Sequence, residues 1–117
     1  MRRALILLPA LLACGSASAH AMLERAEPRV GAVVSVAPTV LTLWFNEPVE
    51  PAFSAIEVQD AAGERVDRGK ARVDPADPAS MQIGLKPLAP GHYHVRWRAL
   101  SADTHTTQGA FEFDVRP

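Results

Sequence analysis

From residue 39 onward, apolar and polar residues alternate in five short stretches. Side chains two apart on a strand share one face, so the alternation predicts strands with one buried side. The apolar positions are Leu41, Leu43 and Phe45; Ile56 and Val58; Met81, Ile83 and Leu85; Tyr93, Val95 and Trp97; and Phe111, Phe113 and Val115. Helical periodicity is hard to find after residue 20, and ten prolines are spread along the chain. The pattern predicts an all-β fold, an antiparallel Greek-key sandwich or barrel.

Two local features agree with this fold. The segment from Leu88 to Tyr93 resembles a tyrosine corner, in which a tyrosine hydroxyl bonds to backbone a few residues upstream. The polar segment from Asp60 to Pro78 predicts loops and one weak edge strand. No internal repeat or domain boundary is visible, so we predict one domain over residues 20–117.

The first 19 residues have the composition of an export signal. Arg2 and Arg3 precede an apolar stretch of about ten residues, half of what a membrane-spanning helix needs. The small residues Ala17-Ser18-Ala19 then form a cleavage site. We predict a cleaved signal peptide over residues 1–19 and a periplasmic protein. The alternative is a lipoprotein cut before Cys14, which would leave that cysteine lipidated and His20 inside the chain.

Charge and cysteine content exclude several classes of function. The formal net charge is −1 and no basic block is present, so nucleic acid is not an expected partner. Cys14 is the only cysteine, so residues 20–117 contain no disulfide and no thiolate ligand for a zinc-finger site. There is also no glycine-rich phosphate loop and no nucleophile-elbow serine, so we predict that the protein is not an enzyme.

Cleavage after Ala19 would make His20 the new N-terminus, where its α-amine and imidazole can chelate one metal ion. Asp103 and His105 offer an oxygen and a further nitrogen, and they share a face if the segment is extended. Cu(II) prefers such a tetragonal set of nitrogen and oxygen donors. The alternative is an exposed N-terminal histidine and an ordinary polar loop.

Three other features bear on metal binding. Glu47, which follows a core strand, can accept a hydrogen bond from the terminal amine or from a ligand imidazole and hold it in place; alternatively it is a solvated loop residue. His92 and His94 alternate with core positions, which predicts an exposed polar face able to bind zinc or copper weakly. Met22 and Met81 are the only methionines after the leader, so a Cu(I) site, which needs soft ligands, is not expected.

These residues resemble the CopC family of periplasmic copper-binding proteins. The similarity runs through His20 after the signal, EPRVG at residues 27–31, LWFNEPV at 43–49 and LAPGHYHVRWRALSADTHTTQGAFEF at 88–113. The resemblance implies a cupredoxin-like or immunoglobulin-like body. It also implies a Cu(II) site formed by His20, Asp103 and His105, with Glu47 as an outer-sphere or occasional ligand.

The resemblance further implies how the protein is used. Some family members carry a methionine-rich loop for Cu(I), but here the corresponding residues 59–73 contain neither methionine nor histidine, which implies a Cu(II)-only member. Many members read Asp-Gly-His where this chain has Asp103-Thr104-His105, and we expect little effect at the metal. We expect a monomeric copper carrier or buffer in copper homeostasis and resistance, partnered by a CopD-type membrane transporter or a multicopper oxidase.

The rival interpretation is a copper monooxygenase. An amine and two imidazoles on one copper form the histidine brace of lytic polysaccharide enzymes. Asp103 as a further ligand favours Cu(II) over the Cu(I) state that oxygen activation needs, and no row of aromatic residues suggests a polysaccharide surface. The carrier is therefore the preferred hypothesis.

Overall fold

Two four-stranded sheets pack face to face in the computed structural model, which describes residues 21–117 and Ala4. The predictions for the leader, for Cys14 and for His20 concern residues outside this part. The strands are β1 (Leu23–Glu27), β2 (Val33–Val34), β3 (Val40–Phe45), β4 (Ala55–Asp60), β5 (Arg72–Asp74), β6 (Asp77–Gly84), β7 (Gly91–Leu100) and β8 (Thr106–Val115). A short 3-10 helix, Pro51–Phe53, lies between β3 and β4. No helix among these residues is long and apolar enough to cross a membrane.

The strand order is β1-β3-β6-β5 in the first sheet and β2-β8-β7-β4 in the second. The prediction of an all-β sandwich is therefore confirmed. One strand pair departs from the antiparallel pattern, because Val33 and Val34 of β2 run parallel to the end of β8. This pair is only two residues long, so it adds an edge to the second sheet without changing the layers.

The core consists of the alternating apolar residues that the sequence singled out. Leu41, Leu43, Val58 and Val95 have no exposed surface, and Met81 is also buried. Aromatic rings pack within and between the sheets. Tyr93 stacks on its neighbour Phe113 in the second sheet with ring centroids 5.3 Å apart. Trp97 of the second sheet meets Phe45 of the first sheet edge-on at 5.2 Å. The alternation therefore predicted correctly which side of each strand faces the core.

The tyrosine corner is also present. The Tyr93 hydroxyl donates a hydrogen bond to the Ala89 carbonyl oxygen at 2.5 Å, while its ring is buried. Burial raises the pKa of Tyr93, so the hydroxyl stays protonated and available as a donor. The corner fixes the chain where it enters β7.

Strands β1 and β2 were not predicted, because they lack a regular apolar alternation. In β1 only Ala26 is buried, and the pairing with β3 shifts register between Leu23 and Arg25. The weak edge strand expected between residues 60 and 78 is β5, which pairs with β6 at the edge of the first sheet.

The β7–β8 hairpin is the longest element pair and carries most of the candidate site residues. Ten residue pairs align in register, from Gly91 opposite Val115 to Leu100 opposite Thr106. The loop Ser101–His105 closes one end of the hairpin. His92 and His94 lie toward the other end, where they pair with Asp114 and Glu112.

Candidate metal centre

The loop between β7 and β8 brings together Asp103 and His105. The Asp103 carboxylate oxygen Oδ2 lies 3.3 Å from Nδ1 of His105, and both side chains are accessible to solvent. The Ser101 hydroxyl donates a hydrogen bond to the other carboxylate oxygen of Asp103 and lies 3.2 Å from the His105 carbonyl oxygen. The structure therefore places one carboxylate and one imidazole side by side at the end of the sandwich.

The loop reaches this geometry through a turn instead of the extended backbone on which the prediction depended. The Thr104 amide bonds to the Ser101 carbonyl at 2.9 Å, and the Ser101 amide bonds to the His105 carbonyl at 3.0 Å. Thr104 has a φ of 71°, in the left-handed region that a β-branched residue rarely adopts. A glycine, as in the Asp-Gly-His pattern of similar proteins, adopts this φ without steric cost.

The Asp103 carboxylate is held in its charged form. The hydrogen bond from Ser101, and next the contacts with His105, lower the pKa of Asp103 below its ordinary value, although partial desolvation opposes them. A carboxylate that is already ionised can coordinate a cation without first losing a proton.

The start of the described chain is fixed beside this loop. The Thr107 hydroxyl donates to the Ala21 carbonyl oxygen at 2.7 Å, and Ala21 is fully buried. Thr107 is in β8, two residues after His105. Ala21 lies two residues before β1 of the first sheet and Thr107 is in β8 of the second, so this bond connects the two sheets at the end that carries the Asp103–His105 loop.

A third segment, residues 46–50, adjoins the same end. Asn46 makes two hydrogen bonds with the backbone of Met22. Its side-chain oxygen accepts one from the Met22 N–H at 2.8 Å, and its backbone N–H donates one to the Met22 carbonyl oxygen at 3.0 Å. Val49 forms a β-bridge with Ser101. Glu47 lies between these two anchors and is half-buried. Within residues 21–117 its carboxylate makes no hydrogen bond or ion pair.

The second histidine pair faces solvent, as its alternation with Tyr93 and Val95 predicted. The sequence reasoning did not foresee its partners. Nε2 of His92 lies 3.0 Å from Oε2 of Glu112, and Nε2 of His94 lies 3.1 Å from Oε1 of the same carboxylate. Nδ1 of His92 lies 2.5 Å from Oδ1 of Asp114, and this hydrogen bond, with the charge of Glu112, raises the pKa of His92. These partners depend on the register of the β7–β8 hairpin, which sets carboxylates of β8 opposite imidazoles of β7. The sequence alone does not give that register.

The fold and the site together describe a small β-sandwich whose Asp103–His105 loop sets a carboxylate beside an imidazole at one end. Comparison with known proteins defines the class further. Residues 23–116 match the family model described as the CopC domain. The chain belongs to the CopC family.

Individual relatives agree with this membership. The chain is 34% identical over 98 residues to the copper transport protein CutJ of Bacillus subtilis, a match that covers 83% of this chain and 18% of CutJ. The crystal structure of CopC from Methylosinus trichosporium is 35% identical, with a TM-score of 0.79 over 84% of this chain and 95% of that one. PcoC from Escherichia coli, described as a methionine-rich copper resistance protein, gives 35% identity and a TM-score of 0.70 over 83% and 99%. A copper-related role follows from this family.

Proposed function

We propose that this protein is an exported Cu(II) carrier or buffer of the periplasm, monomeric and without catalytic activity. Its Cu(II) ligands are the α-amine and imidazole of His20, the Asp103 carboxylate and the His105 imidazole. Glu47 supports the amine or an imidazole from the outer sphere. The supporting observation is the meeting of three chain segments, residues 21–22, 46–49 and 101–105, at one end of the sandwich.

The attachment of Ala21 is the step that joins His20 to the loop. Residue 20 is bonded directly to Ala21, whose carbonyl is held by Thr107 two residues from His105. Consecutive Cα atoms are about 3.8 Å apart, so the anchoring of Ala21 beside the loop supports an N-terminal ligand that shares an ion with Asp103 and His105. Two nitrogens from His20, one from His105 and one oxygen make up the in-plane donor set that Cu(II) prefers.

The choice of Cu(II) over Cu(I) rests on the absence of soft ligands. Met81 is buried in the core, so Met22 is the only exposed methionine of the described chain. PcoC is described as methionine-rich, whereas residues 59–73 of this chain have no methionine or histidine. The negative Asp103 favours the doubly charged ion, which supports a carrier over the oxygen-activating enzyme considered above.

The size of CutJ supports the proposed partner. The segment of CutJ that is similar to this chain makes up 18% of a protein named for copper transport. Physical linkage of a CopC-like segment to a transport protein is consistent with a separate CopC-like protein that serves a CopD-type membrane transporter. A multicopper oxidase is the other recipient we consider.

The decisive experiment compares Cu(II) affinities of two purified chains by competitive titration. One chain begins at His20 and the other carries a single extra glycine before it. We expect the extension to lower the affinity by several orders of magnitude, because it converts the α-amine into an amide that cannot chelate.

The matched controls use histidines at the two ends of the hairpin. His105→Gln should weaken this Cu(II) site, whereas His94→Gln, the same change about 20 Å away along the hairpin, should leave it intact. Equal affinity of the extended and unextended chains would show that the amine is not a ligand. The leading ligands would then be Asp103 with His105 or, separately, His92 with His94, because the hairpin holds the two groups at opposite ends. Lipidation at Cys14 would also regain support.

A further inference from the structure

We infer that the outer face of the β7–β8 hairpin carries a second metal site, formed by His92, His94 and Glu112 and specific for borderline divalent ions such as Cu(II) and Zn(II). The site lies at the opposite end of the hairpin from the Asp103–His105 loop. It does not depend on the N-terminus or on signal cleavage, and so goes beyond the function proposed above.

The three donors already have the spacing of ligands around one ion. The two imidazole Nε2 atoms lie 3.0 and 3.1 Å from the two oxygens of the Glu112 carboxylate. Ligand atoms that are each about 2.0–2.1 Å from a metal ion lie roughly 2.8–3.4 Å from one another in square-planar or tetrahedral geometry. All three donor atoms lie within 4.8 Å of one another, so small rotations suffice to direct them at a common point.

The backbone holds these donors without any loop ordering. His94 and Glu112 are directly opposite each other in the antiparallel ladder, and His92 is two residues from His94 on the same outward face. Directly opposed side chains on an antiparallel pair have Cβ atoms about 4.5–5.5 Å apart, which is the reach that one shared ion needs. The imidazoles contact each other edge-on with centroids 5.3 Å apart.

Asp114 supplies the outer support that metal-binding histidines generally have. It accepts a hydrogen bond from Nδ1 of His92, which fixes the ring tautomer and leaves Nε2 as the metal-binding atom. The guanidinium of Arg116 contacts the other Asp114 oxygen at 3.3 Å and helps to hold it. Two imidazoles and one carboxylate, with a solvent-accessible position for water, form a donor set that suits Zn(II) and Cu(II).

The site is open to ions from solution. The side chains of His92, His94 and Glu112 are each 44–48% exposed. The two carboxylates, Glu112 and Asp114, contribute negative charge that offsets part of the charge of a divalent ion.

The test is a calorimetric titration of the chain spanning residues 20–117 with Cu²⁺ and, separately, with Zn²⁺. We expect two equivalents of Cu²⁺ to bind. His94→Gln and Glu112→Gln should each abolish the second binding event and leave the first. Asp114→Asn should weaken the second event by about 10–100-fold, the usual effect of removing such a support. The Irving–Williams order predicts that Cu²⁺ binds this site more tightly than Zn²⁺.

Glu57→Gln is the charge-matched control. Glu57 is on β4, opposite Arg96 of β7, and lies on the same face of the sheet as the cluster. It contributes no donor atom to the cluster. It should leave both binding events unchanged. In parallel, Zn²⁺ should shift the ring-proton NMR signals of His92 and His94 in the chain carrying His105→Gln.

The proposal is overturned if Glu112→Gln and His94→Gln retain the second binding event, or if a second ion binds without shifting those ring signals. Failure of the N-terminal site is separable, because the glycine extension affects only the first binding event.

Discussion

Asp67 is a single buried carboxylate that holds an otherwise irregular connection between β4 and β5. Its side chain accepts hydrogen bonds from the amides of Val58 and Gly69 and from the Arg65 guanidinium. Burial by itself would raise the pKa of Asp67, but the hydrogen bonds from Arg65, Val58 and Gly69 and the charge of Arg65 together lower it. The sequence predicted only a polar segment here.

Replacing Asp67 with asparagine should lower the free energy of unfolding by about 2 kcal/mol at neutral pH, because buried donors lose a charged acceptor. A carboxyl group with a depressed pKa in the folded state stabilises the fold above its ordinary pKa of about 3.9. That stabilisation is lost as the pH falls through the lowered pKa. The difference between the variant and the wild type should therefore shrink in acid.

Urea unfolding between neutral and strongly acidic pH measures this difference. Asp77→Asn, an exposed position with the same change of charge, should show almost none of it. A destabilisation of Asp67→Asn that does not depend on pH would refute the electrostatic explanation.

At the scale of elements, Gly109 shows how closely β8 approaches its neighbour. It lies opposite Trp97 on β7, and a Cβ atom at Gly109 would lie 2.6 Å from the Trp97 ring. The ring is held on its other side by Phe45 of the first sheet. The missing side chain of Gly109 therefore creates the space in which Trp97 joins the two sheets.

Gly109→Ala should destabilise the protein by about 1–3 kcal/mol, the usual cost of overpacking, because Trp97 has to move. Denaturant unfolding and near-ultraviolet circular dichroism check this. Gly84→Ala is the matched control: it is also a strand glycine, but the atom it would approach belongs to the flexible Arg68 side chain, at 3.1 Å. Equal effects of the two substitutions would show that the contact with Trp97 is not the cause.

Five strands could be predicted from the sequence because each has a buried face with regular alternation. The prediction identified Leu41, Leu43, Val58, Val95 and Phe113 as core residues, and all are buried. Strands β1 and β2 could not be predicted, because they are held by pairing with β3 and β8 and not by a buried apolar face of their own. Backbone pairing at a sheet edge leaves little trace in residue composition.

At the scale of the whole molecule, the candidate copper site depends on contacts between the two sheets. Ala21 and Met22 lie just before β1 of the first sheet, and the Asp103–His105 loop joins β7 and β8 of the second sheet. The bond from Thr107 to Ala21 connects them. If the proposed function is correct, this bond determines where the N-terminal ligand lies.

Thr107→Val should therefore reduce Cu(II) affinity by about tenfold, since it removes a support of the N-terminal ligand while preserving the shape of the side chain. It should cost about 1 kcal/mol in stability. Thr106→Val, at the adjacent and exposed position, should leave the affinity unchanged. Competitive Cu(II) titration of both variants measures this difference. Equal affinities of the two variants would show that the Thr107 hydrogen bond does not contribute to metal binding.

The sequence by itself determined which strands have one buried and one exposed face, the all-β fold class, the exposure of His92 and His94, and the family to which the chain belongs. These follow from local periodicity and from motifs, which are written in consecutive residues. Asp103 and His105 could be chosen because they are two residues apart and chemically suited to a metal. The argument that they share a face applied to an extended backbone, whereas in the structure a turn at Thr104 brings them together.

Only the tertiary structure decided which distant residues meet. The hairpin register sets Glu112 and Asp114 beside His94 and His92, and a shift of one residue would place those carboxylates on the core face. The packing of one sheet on the other brings Ala21 to Thr107. Such contacts depend on strand order and register, which are properties of the whole folded chain and are therefore not readable from any one stretch of sequence.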